Sequence, residues 1–120
     1  GYTFVPDSYY ECVKKWFGSR YDWQIDKDQI IPISGIVPAT SITIKALTEP
    51  GDKVVFMTPA YNCFFRNITN TGAVQNPSEL VWNSSLQRYE VDWPDFEARI
   101  ADPASKVFLL CNPHNPCGRL

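Results

Sequence analysis

Apolar residues in this chain come in two rhythms that alternate along its length. After Asp7, which reads as a helix N-cap, Tyr9, Val13, Trp16 and Phe17 fall at positions i, i+4, i+7 and i+8, one face of a helix. Gly18 supplies a stop. Gln29–Ile33 reads as a short strand leading into Ser34-Gly35. Pro38 suits the first turn of a second helix, with Ala39, Ile42, Ala46 and Leu47 as its apolar stripe, and Glu49-Pro-Gly-Asp52 breaks it. Lys53–Met57 is apolar without alternation, as in a strand buried on both faces. Thr58-Pro-Ala-Tyr61 turns into a third helix bearing Phe64, Phe65 and Ile68, closed by Gly72. Leu80–Trp82 and Tyr89–Val91 are short segments flanking a turn at 83–86. Asp92 caps a fourth helix with Pro94 in its first turn and Phe96 and Ile100 a turn apart. Lys106–Cys111 is a final strand running into Asn112-Pro-His-Asn-Pro-Cys-Gly118. Helices alternating with strands in this way predict an α/β fold with a mostly parallel sheet.

Composition narrows the function classes. The chain has 120 residues, 44% of them hydrophobic and 14% aromatic, enough for a packed core and for one domain or part of one. The net charge of −2 is spread along the chain, with no basic stripe for nucleic acid. The apolar runs Val54–Met57 and Val107–Cys111 are too short to span a bilayer. Gly1–Phe4 has neither the basic nor the apolar region of a secretory leader. Cys12, Cys63, Cys111 and Cys117 form no C-x-x-C pair and the single His adds little, so a metal site is not expected; free thiols in a reducing cytoplasm are. Two short sequons, Asn67-Ile-Thr69 and Asn83-Ser-Ser85, carry little weight.

In a parallel sheet, ligands bind beyond the carboxyl ends of the strands, and three segments are expected there. Ser34-Gly-Ile-Val37 opens a helix, so free backbone N–H groups and the helix dipole favour a phosphate; the same turn would serve any strand-to-helix connection. Tyr61 can stack on a planar ring or line the core rim. In 112–118, two prolines restrict the preceding asparagines and hold an amide at a strand tip. His114 sits between them without a visible nucleophile to serve and reads as structural.

These segments, in this order and spacing, resemble fold-type I pyridoxal-phosphate enzymes of the class I/II aminotransferase family. Asn112–Gly118 resembles the family's NPxNPTG signature, with Cys117 departing from it. Gly1-Tyr-Thr3, Gly35–Ala39, Thr48–Lys53, Pro59–Phe65 and Leu109–Pro116 are most similar to the cystathionine β-lyases (C–S lyases) of the MalY/PatB type. The resemblance implies that pyridoxal 5'-phosphate is the cofactor. It assigns Ser34, Gly35, Ile36 and Val37 to its phosphate, Tyr61 to its ring face and Asn115 to its ring hydroxyl. Tyr2 would reach across a homodimer to the neighbour's phosphate. The substrate implied is a sulfur-containing amino acid, cleaved by β-elimination to a thiol or homocysteine, ammonia and pyruvate. An aminotransferase, or a regulatory module that kept the fold without catalysis, are the other readings; a small α/β domain with an unrelated nucleotide ligand lacks any G-x-G-x-x-G or Walker-type loop. The family's Schiff-base lysine, pyridinium aspartate and carboxylate-binding arginine lie downstream of the matched run. Residues 1–120 are therefore expected to be part of a large domain, cut at both ends, inactive alone and prone to self-association through uncovered edges.

Overall fold

The computed structural model describes residues 4–119, which divide into two compact units, one ending at Ser34 and the other beginning at Gly35. In the first, helix α1 (Asp7–Tyr21) is followed by a 3-10 turn at Lys27–Gln29. Asp7 is the first helical residue rather than the cap, and its carboxylate pairs with the Lys27 ammonium, which also lies 5.0 Å from the Tyr10 ring centroid. The helix passes through Gly18 and ends where Asp22 adopts a left-handed φ of 51° and donates its N–H to the Phe17 carbonyl. Phe17 is then locked edge-to-face against Trp23 at 5.2 Å. The predicted stripe is only partly covered: Tyr9 and Trp16 are exposed, and no residue of α1 is buried. The expected strand at 29–33 does not form. The Gln29 side chain accepts from the Asp26 N–H at 2.8 Å, closing a turn there, and Pro32 has no N–H to give a sheet.

The second unit runs α2 (Ile36–Leu47), β1 (Lys53–Thr58), α3 (Cys63–Asn70), β2 (Val74–Glu79), β3 (Val81–Asn83), β4 (Arg88–Glu90), α4 (Trp93–Ala101) and β5 (Ser105–Leu109). β1 lies between β2 and β5, all parallel, with Val55 opposite Asn76 on one side and Phe108 on the other. β3 and β4 form a separate antiparallel hairpin. Val54 and Phe56 point into a core closed by Ile44 of α2 and by Phe64 and Ile68 of α3. Val55 points the other way, toward Ile100 of α4, while Phe96 packs on Phe108 at 5.0 Å. Helices on both faces explain why 53–57 is apolar throughout. In α2 the buried residue is Ile44; Ile42 and Leu47, predicted for the stripe, are exposed.

β2 escaped the sequence reading because Val-Gln-Asn-Pro-Ser-Glu has no apolar rhythm. Its polar side chains are paired through tertiary contacts. Gln75 donates to the Phe65 carbonyl at 3.1 Å, and Asn76 donates to the Ser105 hydroxyl at 3.1 Å and accepts from Arg99 at 2.9 Å. Buried Ser78 donates to Asp95 at 2.7 Å, and Arg99 also donates to that carboxylate at 2.8 Å. Pro77 is tolerated because β2 is at the sheet edge.

The Arg99 guanidinium and the Ser78 hydroxyl hold the Asp95 carboxyl below its ordinary range. A carboxylate so depressed stabilises the fold above its unfolded-state pKa, and that contribution is lost as pH falls through the folded-state value. Urea midpoints should therefore drop on acidification below about pH 4, the ordinary Asp range, and Asp95→Asn should flatten that acid limb. An unchanged acid limb in D95N would show that the network does not couple protonation to folding.

Candidate cofactor site at the sheet rim

Two loops leave neighbouring parallel strands at the same edge of the sheet. After β1, Pro59 and Ala60 lead to Tyr61, whose carbonyl accepts the Phe64 N–H at 3.0 Å as α3 begins. Tyr61 is 37% exposed, and its ring stands edge-to-face to Phe64 at 5.7 Å and 88°. The Cys63 thiol beside it raises the phenol above its ordinary pKa. After β5, the chain folds back on itself at His114. Its N–H donates to the Arg119 carbonyl, and its own carbonyl accepts from Gly118, both at 2.6 Å. Gly118 takes a φ of 68°, a left-handed value glycine adopts without strain. The Thr58–Pro59, Asn112–Pro113 and Asn115–Pro116 peptide bonds are cis.

The two loops are joined directly. His114 Nε2 lies 2.8 Å from the Pro59 carbonyl oxygen. A carbonyl only accepts, so Nε2 carries the proton. Tyr61 is two residues from one end of this bond and Asn115 is adjacent to the other, which draws both to one stretch of the rim. The Asn115 side chain is exposed and has no hydrogen-bond partner among the described residues.

The start of α2 completes the rim. α2 feeds β1 through a short connection at the strand's amino end, so its own N-terminus faces the carboxyl end. The Asn67 amide of α3 donates to the Val37 carbonyl at 3.4 Å and ties that first turn down. The first intrahelical bond runs from Ala39 N–H to the Gly35 carbonyl. The N–H groups of Gly35, Ile36 and Val37 thus precede the helix ladder, and Pro38 has none. A Cβ at Gly35 would meet only the Pro38 ring, at 3.7 Å. Ser34 is an exposed bend residue ending the first unit, and Tyr2 lies outside the described residues.

Behind the loops is a cavity of about 190 Å³ lined by Met57, Tyr89, Leu110, Asn112, His114 and Cys117, among others. Arg119 donates to the Tyr89 carbonyl and links loop to hairpin. Burial pushes the Cys117 thiol above its ordinary pKa. All four cysteines are free. Both sequon asparagines have structural work: Asn67 is 5% exposed, and Asn83 accepts from Ser85 and Leu86 N–H while donating to Glu90 at 2.7 Å. The lysines of the second unit stand away from the rim. Lys53 opens β1 and pairs with Asp102 at 2.6 Å, Lys106 is at the start of β5, and Lys45 is in the last turn of α2. The His114–Pro59 bond is what the sequence reading missed, since its ends are 55 residues apart. Among the described residues no helix is long and apolar enough to cross a membrane.

A parallel sheet sandwiched by helices, with helix N-terminus, tyrosine loop and asparagine loop at its carboxyl rim, is the α/β fold of the aminotransferase type. The sequence pattern of that family, aminotransferase class I and II, matches residues 1–120, and the chain belongs to it. It is 34% identical to cystathionine beta-lyase PatB of Bacillus subtilis over 99% of this chain and 30% of PatB. It is 28% identical to MalY of Escherichia coli, over 100% of this chain and 30% of MalY. Cystalysin from Treponema denticola, whose crystal structure contains pyridoxal 5'-phosphate, superposes with a TM-score of 0.90 at 38% identity, covering 100% of this chain and 30% of cystalysin. The pyridoxal-phosphate-bound C–S lyase from Staphylococcus hominis gives a TM-score of 0.87 at 28% identity, over 99% of this chain and 31% of the lyase. The chain thus spans about 30% of the length of these relatives.

Proposed function

We propose that the gene product containing these residues is a pyridoxal-phosphate-dependent C–S lyase, and that residues 1–120 form part of its large domain and much of its cofactor cradle. The observation that carries the reading is the junction of the tyrosine and asparagine loops through the His114–Pro59 bond, at the same end of the sheet as the free N–H groups that open α2. The donor chemistry fits the group. Three backbone N–H groups at a helix N-terminus suit a phosphate dianion. The exposed Tyr61 face suits a planar pyridine, and the unpartnered Asn115 amide suits a ring hydroxyl oxygen. Bound there, the cofactor supplies an electron sink that makes the substrate's Cα proton removable and a β-carbon–sulfur bond breakable. The residues of this chain hold and orient it. Lys45, Lys53 and Lys106 stand away from the rim and the chain spans about 30% of its relatives' length, which supports an anchoring lysine elsewhere in the gene product and a segment inactive alone. Tyr2 contributes to a partner's phosphate site across a homodimer. Similarity to cystathionine beta-lyase PatB and to the C–S lyase from Staphylococcus hominis, each over 99% of this chain, supports a sulfur-containing amino acid as substrate. The four free thiols support a reducing cytoplasm.

The test is to purify the gene product and supply L-cystathionine. Stoichiometric pyruvate and homocysteine are expected, without any added 2-oxo acid. Activity that appears only with a 2-oxo acid acceptor, with no pyruvate from cystathionine, would make the protein an aminotransferase instead. Absence of pyridoxal phosphate binding would overturn the cofactor reading altogether.

A further inference from the structure

We propose that His114 is a positioning residue for the cofactor ring. Through its Nε2–H bond to the Pro59 carbonyl, it sets the spacing between Tyr61 on one loop and Asn115 on the other. The proposal rests on the cofactor reading above and names a residue that reading does not use.

The geometry points to this role in three ways. First, every polar group of His114 but Nδ1 is committed: the backbone N–H to Arg119, the backbone carbonyl to Gly118 and Nε2–H to Pro59. His114 is therefore the hub of its own loop and the bridge to the other. Second, neither functional side chain is tethered to the opposite loop by itself. Tyr61 packs edge-to-face on Phe64, in the helix its own loop leads into, and Asn115 has no partner among the described residues. Stacking and ring-hydroxyl recognition must act on the same ring, so the distance between the loops matters more than either loop's local order. Third, His114 is partly buried and lines the same cavity as Met57 of β1 and Asn112 and Cys117 of its own loop. Because a carbonyl accepts from neutral Nε2–H imidazole and from imidazolium alike, the bridge does not depend on the ring's charge.

The test uses the full gene product with His114→Gln and His114→Met. The two side chains have similar length and volume, but only glutamine offers an N–H donor near the place of Nε2. Pyridoxal phosphate affinity and the circular dichroism of the bound cofactor, which reports the tilt of its ring, are measured for each. Met is expected to weaken affinity roughly two- to tenfold, the loss of one hydrogen bond, and to alter the cofactor dichroism. Gln should restore most of both. If Met and Gln behave alike, the donor is irrelevant and the proposal is overturned. If the unsubstituted protein binds no pyridoxal phosphate, the cofactor reading fails first and takes this one with it. Should the variants not fold, the ring 15N spectrum of the unsubstituted protein decides: an Nε2–H tautomer is expected, and neutral Nδ1–H would overturn the bond.

Discussion

Replacing Ile36 by proline should weaken pyridoxal phosphate binding by the gene product roughly ten- to a hundredfold while leaving α2 intact. Ile36 is the first residue of the helix, where its N–H has no intrahelical acceptor and where a proline's fixed φ already suits the backbone. Gly35 before it is extended, with φ 163° and ψ 166°, outside the αR region that a following proline disfavours. The substitution therefore removes one donor from the turn without breaking the ladder that begins at Ala39. A hydrogen bond to a charged acceptor is worth about 1.5–3 kcal/mol, which sets the expected factor. Gly35→Ala is the companion measurement. Its new methyl would meet only Pro38 at ordinary contact distance, so the fold should tolerate it, and any lost affinity would come from crowding the anion. Equal affinities for I36P and the unsubstituted protein, with helix content unchanged, would remove the start of α2 from the phosphate site.

Phe56→Ala should cost about 3–5 kcal/mol of folding free energy, as for other buried phenylalanines truncated in a core. Phe56 is 0% exposed at the centre of β1 and stacks edge-to-face on Phe65 at 5.2 Å. Ile44, Phe64 and Ile68 surround the same space from two helices, so little of the cavity left behind can collapse. A loss of that size is a large part of a typical domain's stability, and low soluble yield is expected with it. Phe108, on the neighbouring strand, is 39% exposed, and F108A should cost distinctly less. Urea midpoints at neutral pH would decide it. Equal costs for the two alanines would mean that the core is not centred between β1 and the α2–α3 face.

The elements that were legible in the sequence are those whose residues depend on one another locally. The run Val54–Phe56 is apolar because both faces of β1 are covered, and a strand of that kind has a readable signature. Asp92 caps α4 by accepting the Asp95 N–H at 3.2 Å, a contact between residues three apart. The hairpin turn was legible for the same reason, with Asn83 accepting from N–H groups two and three residues on. The α2 stripe was misplaced because Ile42 and Ile44 are equally apolar, and only the position of α3 and the sheet selects Ile44. The segment 29–33 looked like a strand from its branched side chains, yet a strand needs a neighbour to pair with.

The amino-acid order by itself determined an α/β chain with a glycine turn opening a helix, a tyrosine turn and an asparagine loop restricted by two prolines, because caps, turns and proline constraints act over a few bonds. Only the tertiary structure decided that polar 74–79 is a sheet strand, that the sequon asparagines serve the fold, and that His114 holds two distant loops together. Each of those depends on partners that are remote along the chain and meet only when the sheet forms.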